Sequence, residues 1–218
     1  VYLGNPTAHS LSAMMYNRVL LQSLGTGNRF TASTVDQMPR QVAAGYVFGT
    51  PVSVPVPDLD RTDYLVIIGA NPYASNGSLC TAPDFPGRIE AIQSRGGTVV
   101  VVDPRRSRTA EQADRWLPIR PGADALMLAA IVTTLHEAGR IDAGAHVGPL
   151  LADLDVAVAA CAPFTAESVA AATGLDAADI RRLAIDLADA PTATVYGRIG
   201  TTTTSFGTVT SWLIDLVN

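Results

Sequence analysis

Asp103, Arg105, Arg106 and Arg108 crowd into one short stretch, with Pro104 and Ser107 between them. A carboxylate can take hydrogen bonds from a ribose or a base edge, and guanidinium groups hold phosphates by two-point contacts. The stretch follows Gly-Thr-Val-Val-Val-Val, an apolar run of the kind that makes a buried parallel strand. In an open α/β sheet, ligands dock at the carboxyl ends of the strands. The block therefore reads as an anion site of nucleotide type. A solvated loop leading to a helix cap accounts for the same residues.

Three other segments repeat this placement. Gly69, Ala70, Asn71, Pro72 and Ser75 follow the apolar run Tyr64–Ile68, where a glycine lets a ligand approach the backbone and free amides can cradle an anion. Gly122, Ala123 and Asp124 follow Arg120-Pro121 and offer a carboxylate beside the same cleft, or a helix cap. Tyr196, Arg198 and Gly200 close a further strand, with a tight turn as the plainer reading. If the sheet is parallel, these ends converge on one edge. Asp36 precedes the Pro39 helix start and by position alone is a helix-flanking cap. His9, His136 and His146 lack metal-ligand spacing, and His136, late in a helix, reads as structural. No GxGxxG, no Walker loop and no Ser–His–Asp spacing is present.

The elements that position these residues alternate between strand and helix. The pattern predicts helices over 11–24, 39–48, 84–95, 125–138, 150–161, 166–172 and 177–188, with a last one over 211–218. It predicts strands over 29–33, 64–68, 98–102, 115–118 and 192–196. Asp124 is expected to cap its helix, and Asp176 with Asp179 to form a capping box. The expected fold class is α/β, a Rossmann-like parallel sheet flanked by helices with an additional α/β portion. Residues 1–60 belong to that additional portion, 61–150 to the Rossmann-like region, and 151–218 to a helical segment returning to the first portion.

Length and charge narrow the partners. The chain has 218 residues, enough for a full core, and a net charge of −5, against a nucleic-acid binder. All fifteen basic residues are arginine. Cys80 and Cys161 have no CxxC partner, which suits a reduced, cytoplasmic chain. No apolar run is long enough to span a bilayer, so no membrane contact is expected from this segment. The chain opens on Val1, and Ser211–Asn218 stops inside a helical pattern, so it reads as a piece of a larger multidomain protein.

Several of these blocks, in this order, resemble the molybdopterin oxidoreductases of the dimethyl sulfoxide reductase superfamily, which includes formate dehydrogenases and nitrate reductases. They are residues 2–10 (YLGNPTAHS), 32–39 (ASTVDQMP), 62–72, 102–110, 119–124 (IRPGAD) and Tyr196-Gly197-Arg198, together with the helices between Phe164 and Ala188. The resemblance implies two molybdopterin guanine dinucleotides with molybdenum or tungsten. It implies cofactor contacts at Asn5, at Gly69, Ala70, Asn71, Pro72 and Ser75, and at Asp103, Pro104, Arg105, Arg106 and Ser107. Further contacts are implied at Gly122, Ala123 and Asp124, and at Tyr196, Arg198 and Gly200. Asp36 aligns where members of the family carry the residue that binds the metal, and a carboxylate suits a high-valent ion.

The implied activity is two-electron redox of a small-molecule substrate of the formate, nitrate or sulfoxide class. Electrons would pass through a 4Fe-4S cluster on an N-terminal segment missing here to an electron-transfer partner protein. Two other readings stay open. One is the inert electron-transfer scaffold that the same fold provides in the large iron–sulfur subunit of NADH dehydrogenase. The other is an ordinary nicotinamide-binding domain, against which the missing GxGxxG speaks.

Overall fold

A computed structural model describes residues 1–4, 10–77, 80 and 82–218. The chain begins with β1 (Tyr2–Leu3), α1 (Leu11–Ser23), β2 (Phe30–Thr31), α2 (Ser33–Asp36) and α3 (Met38–Phe48). The central stretch holds β3 (Tyr64–Ile68), α4 (Pro72–Ser75), α5 (Phe85–Ser94), β4 (Thr98–Val102), α6 (Arg108–Gln112), β5 (Arg115–Leu117) and α7 (Asp124–Glu137). The remainder holds α8 (Gly144–Val147), a 3₁₀ turn at Gly148–Leu150, α9 (Leu154–Cys161), α10 (Ala166–Thr173) and α11 (Ala177–Asp189). It ends with β6 (Ala193–Gly197), α12 (Ile199–Thr202) and α13 (Gly207–Val217).

Four strands form one parallel sheet in the order β5-β4-β3-β6. β1 and β2 form a separate parallel pair. Strand side chains alternate between faces, and here both faces are covered. Val66, Ile68, Val100 and Val102 point into a core with α7, α9, α10, α11 and α13. Leu65, Ile67, Val99 and Val101 point into a second core with Phe85, Ile89 and Ile92 of α5. Burial on both sides explains why β3 and β4 are unbroken apolar runs. At the outer side of β6, the Asn218 side chain stands in for a neighbouring strand. Its Oδ1 accepts the Val195 N–H at 2.8 Å, and its Nδ2 donates to the Val195 carbonyl at 2.9 Å.

The first portion meets the rest through α3 on α13. Arg40 of α3 grips Asp215 of α13 with both guanidinium nitrogens at 2.7 Å, and both side chains are largely buried. Burial nonetheless outweighs Arg40 and raises the Asp215 carboxyl above its usual range.

Several sequence expectations need correction. The strand expected over 29–33 is confined to Phe30–Thr31, because the Thr31 hydroxyl accepts the Ser33 N–H at 3.2 Å and turns the chain into α2. The helix expected over 150–161 starts at Leu154, since Asp153 takes a left-handed conformation at φ 57° that a continuing helix excludes. The last helix starts earlier, at Gly207. Asp176 flanks α11 but its side chain makes no capping bond. Asp124 is the first helical residue of α7; Ala123 is the cap, with no side-chain bond. Asp36 ends α2, and Gln37 precedes α3, so Asp36 does not cap it.

Candidate functional site

The strand order defines a switch point. The chain steps outward from β3 to β4 to β5, and β6 then adds on the opposite side of β3. The loops after β3 and β6 therefore diverge from a crevice at the carboxyl ends of the two strands.

At that crevice the two loops touch backbone to backbone. Gly69 sits at φ +57°, and its carbonyl accepts the Gly200 N–H at 2.9 Å. A Cβ on Gly200 would lie 2.7 Å from the Gly69 Cα, so only glycine allows this approach. Asn71 follows, and its Oδ1 accepts the Thr109 hydroxyl at 2.7 Å and the Thr109 N–H at 3.3 Å. Thr109 belongs to α6, so the loop after β3 is tied to the loop after β4. Its carbonyl end committed, Asn71 keeps its amide nitrogen as a donor. Pro72 opens α4, which carries Ser75.

These residues border a cleft of about 210 Å³. Ala70, Asn71, Ser75 and Gly77 form one side, and Tyr196, Arg198 and Ile199 the other. Asp36 closes it from the end of α2. Arg198 donates from Nη2 to Asp36 Oδ1 at 3.5 Å, with side-chain exposures of 8 % and 14 %. The Thr202 hydroxyl holds the Asp36 carbonyl at 2.7 Å. Tyr196 donates its hydroxyl to the Gly77 carbonyl at 2.7 Å and stacks near Phe85, ring centres 5.4 Å apart. Burial holds its phenol well above the ordinary value, so Tyr196 is a wall of the cleft and not an acid.

Further along the same edge lies the acid-and-arginine stretch. Asp103 Oδ1 accepts the Arg105 N–H at 2.8 Å, and the Asp103 carbonyl accepts the Trp116 indole N–H at 2.8 Å. Ser107 caps α6 through the Ala110 N–H at 3.3 Å. Pro104, Arg105 and Arg106 are exposed, and neither arginine pairs with a carboxylate among the described residues. Gly122 turns the chain at φ +81° and Ala123 is buried. Asp124, only 5 % exposed, has its carboxyl pushed up to about 6. Burial is the main cause, its own backbone amide opposes the shift, and the Asp103 carboxylate adds repulsion.

The structure thus brings Asp36, Ala70, Asn71, Ser75, Tyr196 and Arg198 around one cleft. It sets Gly200 against Gly69, and groups Asp103 with Asp124 farther along the edge. Asn5 lies outside the described residues. Sequence reasoning did not pick out Gly77, and it held Ile199 and Thr109 only inside longer motifs without a site role. The role of Thr109 emerges only once β4 lies beside β3, because no local pattern marks a threonine that will bond an asparagine 38 positions away. Among the described residues no cluster of three or more His, Cys, Asp or Glu could hold an ion by itself. No single described helix is long and apolar enough to cross a membrane.

Comparison with known proteins gives a consistent set of likenesses. The sequence profile of the molybdopterin oxidoreductases matches residues 5–211. The molybdopterin-containing subunit of arsenate respiratory reductase from Chrysiogenes arsenatis is 40% identical over 80 residues, covering 35% of this chain and 9% of that protein. A nitrate reductase from Symbiobacterium thermophilum is 33% identical over 139 residues, covering 60% of this chain and 18% of that protein. Acetylene hydratase from Pelobacter acetylenicus shares the fold with a TM-score of 0.71 at 21% identity, over 92% of this chain and 26% of that one. The chain spans less than a fifth of the length of these curated relatives.

Proposed function

This chain belongs to the molybdopterin oxidoreductase family, and from that premise we propose that it grips molybdopterin in its guanine dinucleotide form within a two-electron oxidoreductase. One observation carries the reading. The ends of all four parallel strands bear the glycines, acids, amide and arginines at one sheet edge.

The residues present suit such a group. Asp124 offers a buried carboxyl with no ion pair among the described residues, and such a carboxyl can accept the N1–H and exocyclic amine of a guanine together. Arg105 and Arg106 stand exposed nearby, suited to phosphate oxygens. Asn71, held by Thr109, presents its amide nitrogen to acceptor atoms in the cleft. Asp36 offers one hard oxygen donor to a metal, the remaining donors coming from the cofactor.

When bound, the cofactor supplies the redox chemistry at its metal. The protein's part is to orient and to exclude water. Buried Tyr196 and the Gly69–Gly200 contact keep the crevice narrow. Substrates of the nitrate, formate or sulfoxide class and a second copy of the cofactor complete the proposal. So does a 4Fe-4S cluster outside these 218 residues that passes electrons to a partner protein.

The test is metal and nucleotide analysis of the full-length protein. Molybdenum or tungsten together with a guanine dinucleotide is the expected result. Iron–sulfur clusters with neither metal nor pterin would overturn it and leave the electron-transfer scaffold.

A further inference from the structure

Asp36 ends a helix of only four residues, with no side-chain cap and no neighbour on its own element to hold its carboxylate. A side chain so placed has several rotamers open to it. What restrains it comes from the junction of β6 and α12. Arg198 reaches Oδ1 at 3.5 Å, and the Thr202 hydroxyl pins the main chain of Asp36 at 2.7 Å. Arg198 is itself anchored. Its N–H donates to the Ile68 carbonyl at 3.2 Å, and its carbonyl takes the Thr201 N–H and hydroxyl, each at 2.7 Å. Its side chain is buried beside the cleft that Asp36 closes.

We infer that Arg198 is a positioning residue: its guanidinium holds one oxygen of Asp36 so that the other is aimed into the cleft. The inference rests on Asp36 being the protein's donor to the metal. Carboxylates that bind metals are commonly oriented by a hydrogen-bonded neighbour, and losing that neighbour costs about 10- to 100-fold in metal affinity or activity. Arg198 fills this place, with its charge also offsetting that of Asp36 in a buried setting. In this arrangement Arg198 acts through Asp36.

The experiment is X-ray absorption at the metal edge of the full-length holoenzyme, with metal content measured alongside. Asp36→Asn is expected to alter the oxygen shell. Arg198→Ala should reproduce that change and lower metal retention by about 10- to 100-fold. So should Arg198→Gln, which keeps length and a polar head for a well-folded control. Arg198→Lys should restore much of the wild-type spectrum, and Asp36→Asn combined with Arg198→Gln should add nothing further. If Asp36→Asn shifts the shell and both neutral Arg198 variants leave it untouched, the positioning role is overturned by itself. If Asp36→Asn is silent, the metal-donor reading of Asp36 falls, and the positioning role with it.

Discussion

Asp124 shows how far one residue's surroundings matter more than its type. An aspartate before an Ala-rich helix looks like a cap, and here it is the first helical residue with a buried carboxyl. Because burial raises its carboxyl to about 6, the folded protein keeps a proton that the unfolded chain has already released. Its contribution to stability is therefore full below about pH 4 and is lost as pH rises through about 6. Urea denaturation between pH 4 and 7 should show this falling slope, and Asp124→Asn should flatten it. Above pH 6 that variant should be more stable by about 2–3 kcal/mol, the value of a shift of about two units. It should also carry less guanine nucleotide, since an amide offers only one acceptor oxygen to the base. The acid and its place after a strand were legible from Arg120-Pro121-Gly122. Its burial was not, because that depends on how the start of α7 packs into the core beside the sheet.

Elements separate into those the sequence specifies by itself and those that neighbours impose. Tyr64–Ile68 and Thr98–Val102 were readable to the residue, since a continuous apolar run of five has few other homes. Ala177–Asp189 was nearly so, with its apolar residues on one face. The four-residue α2 was invisible: Ser33-Thr34-Val35-Asp36 has poor helix propensity, and it exists because Thr31 and Thr202 hold its two ends. α3 is joined to α13 by Arg40 and Asp215, a pair 175 positions apart that no local pattern joins. Removing one partner leaves the other charge buried, so Asp215→Ala should cost about 3–5 kcal/mol in chemical denaturation. Arg40→Met with Asp215→Leu should be close to neutral, because the raised Asp215 carboxyl shows that Arg40 does not fully offset the cost of burying it.

At the scale of the molecule, stability is unevenly spread. The central sheet is sealed between two cores, whereas α1 buries only Leu21 of its thirteen residues. Amide exchange should rank accordingly: β3 and β4 protected close to the global unfolding free energy, α1 exchanging fastest among the long helices. Equal protection of α1 and β4 would contradict this ranking. The clustering of strand-end loops on one rim followed from parallel strands once these were recognised. The position of β6 beside β3, which creates the crevice, could not be read, because strand order leaves no trace in local composition. One consequence lies at the far border of that sheet. By bonding both polar groups of Val195, Asn218 ends the ladder in a single side chain. That border is closed at the Val195 rung, so a strand adding beside β6 must first displace the Asn218 side chain there.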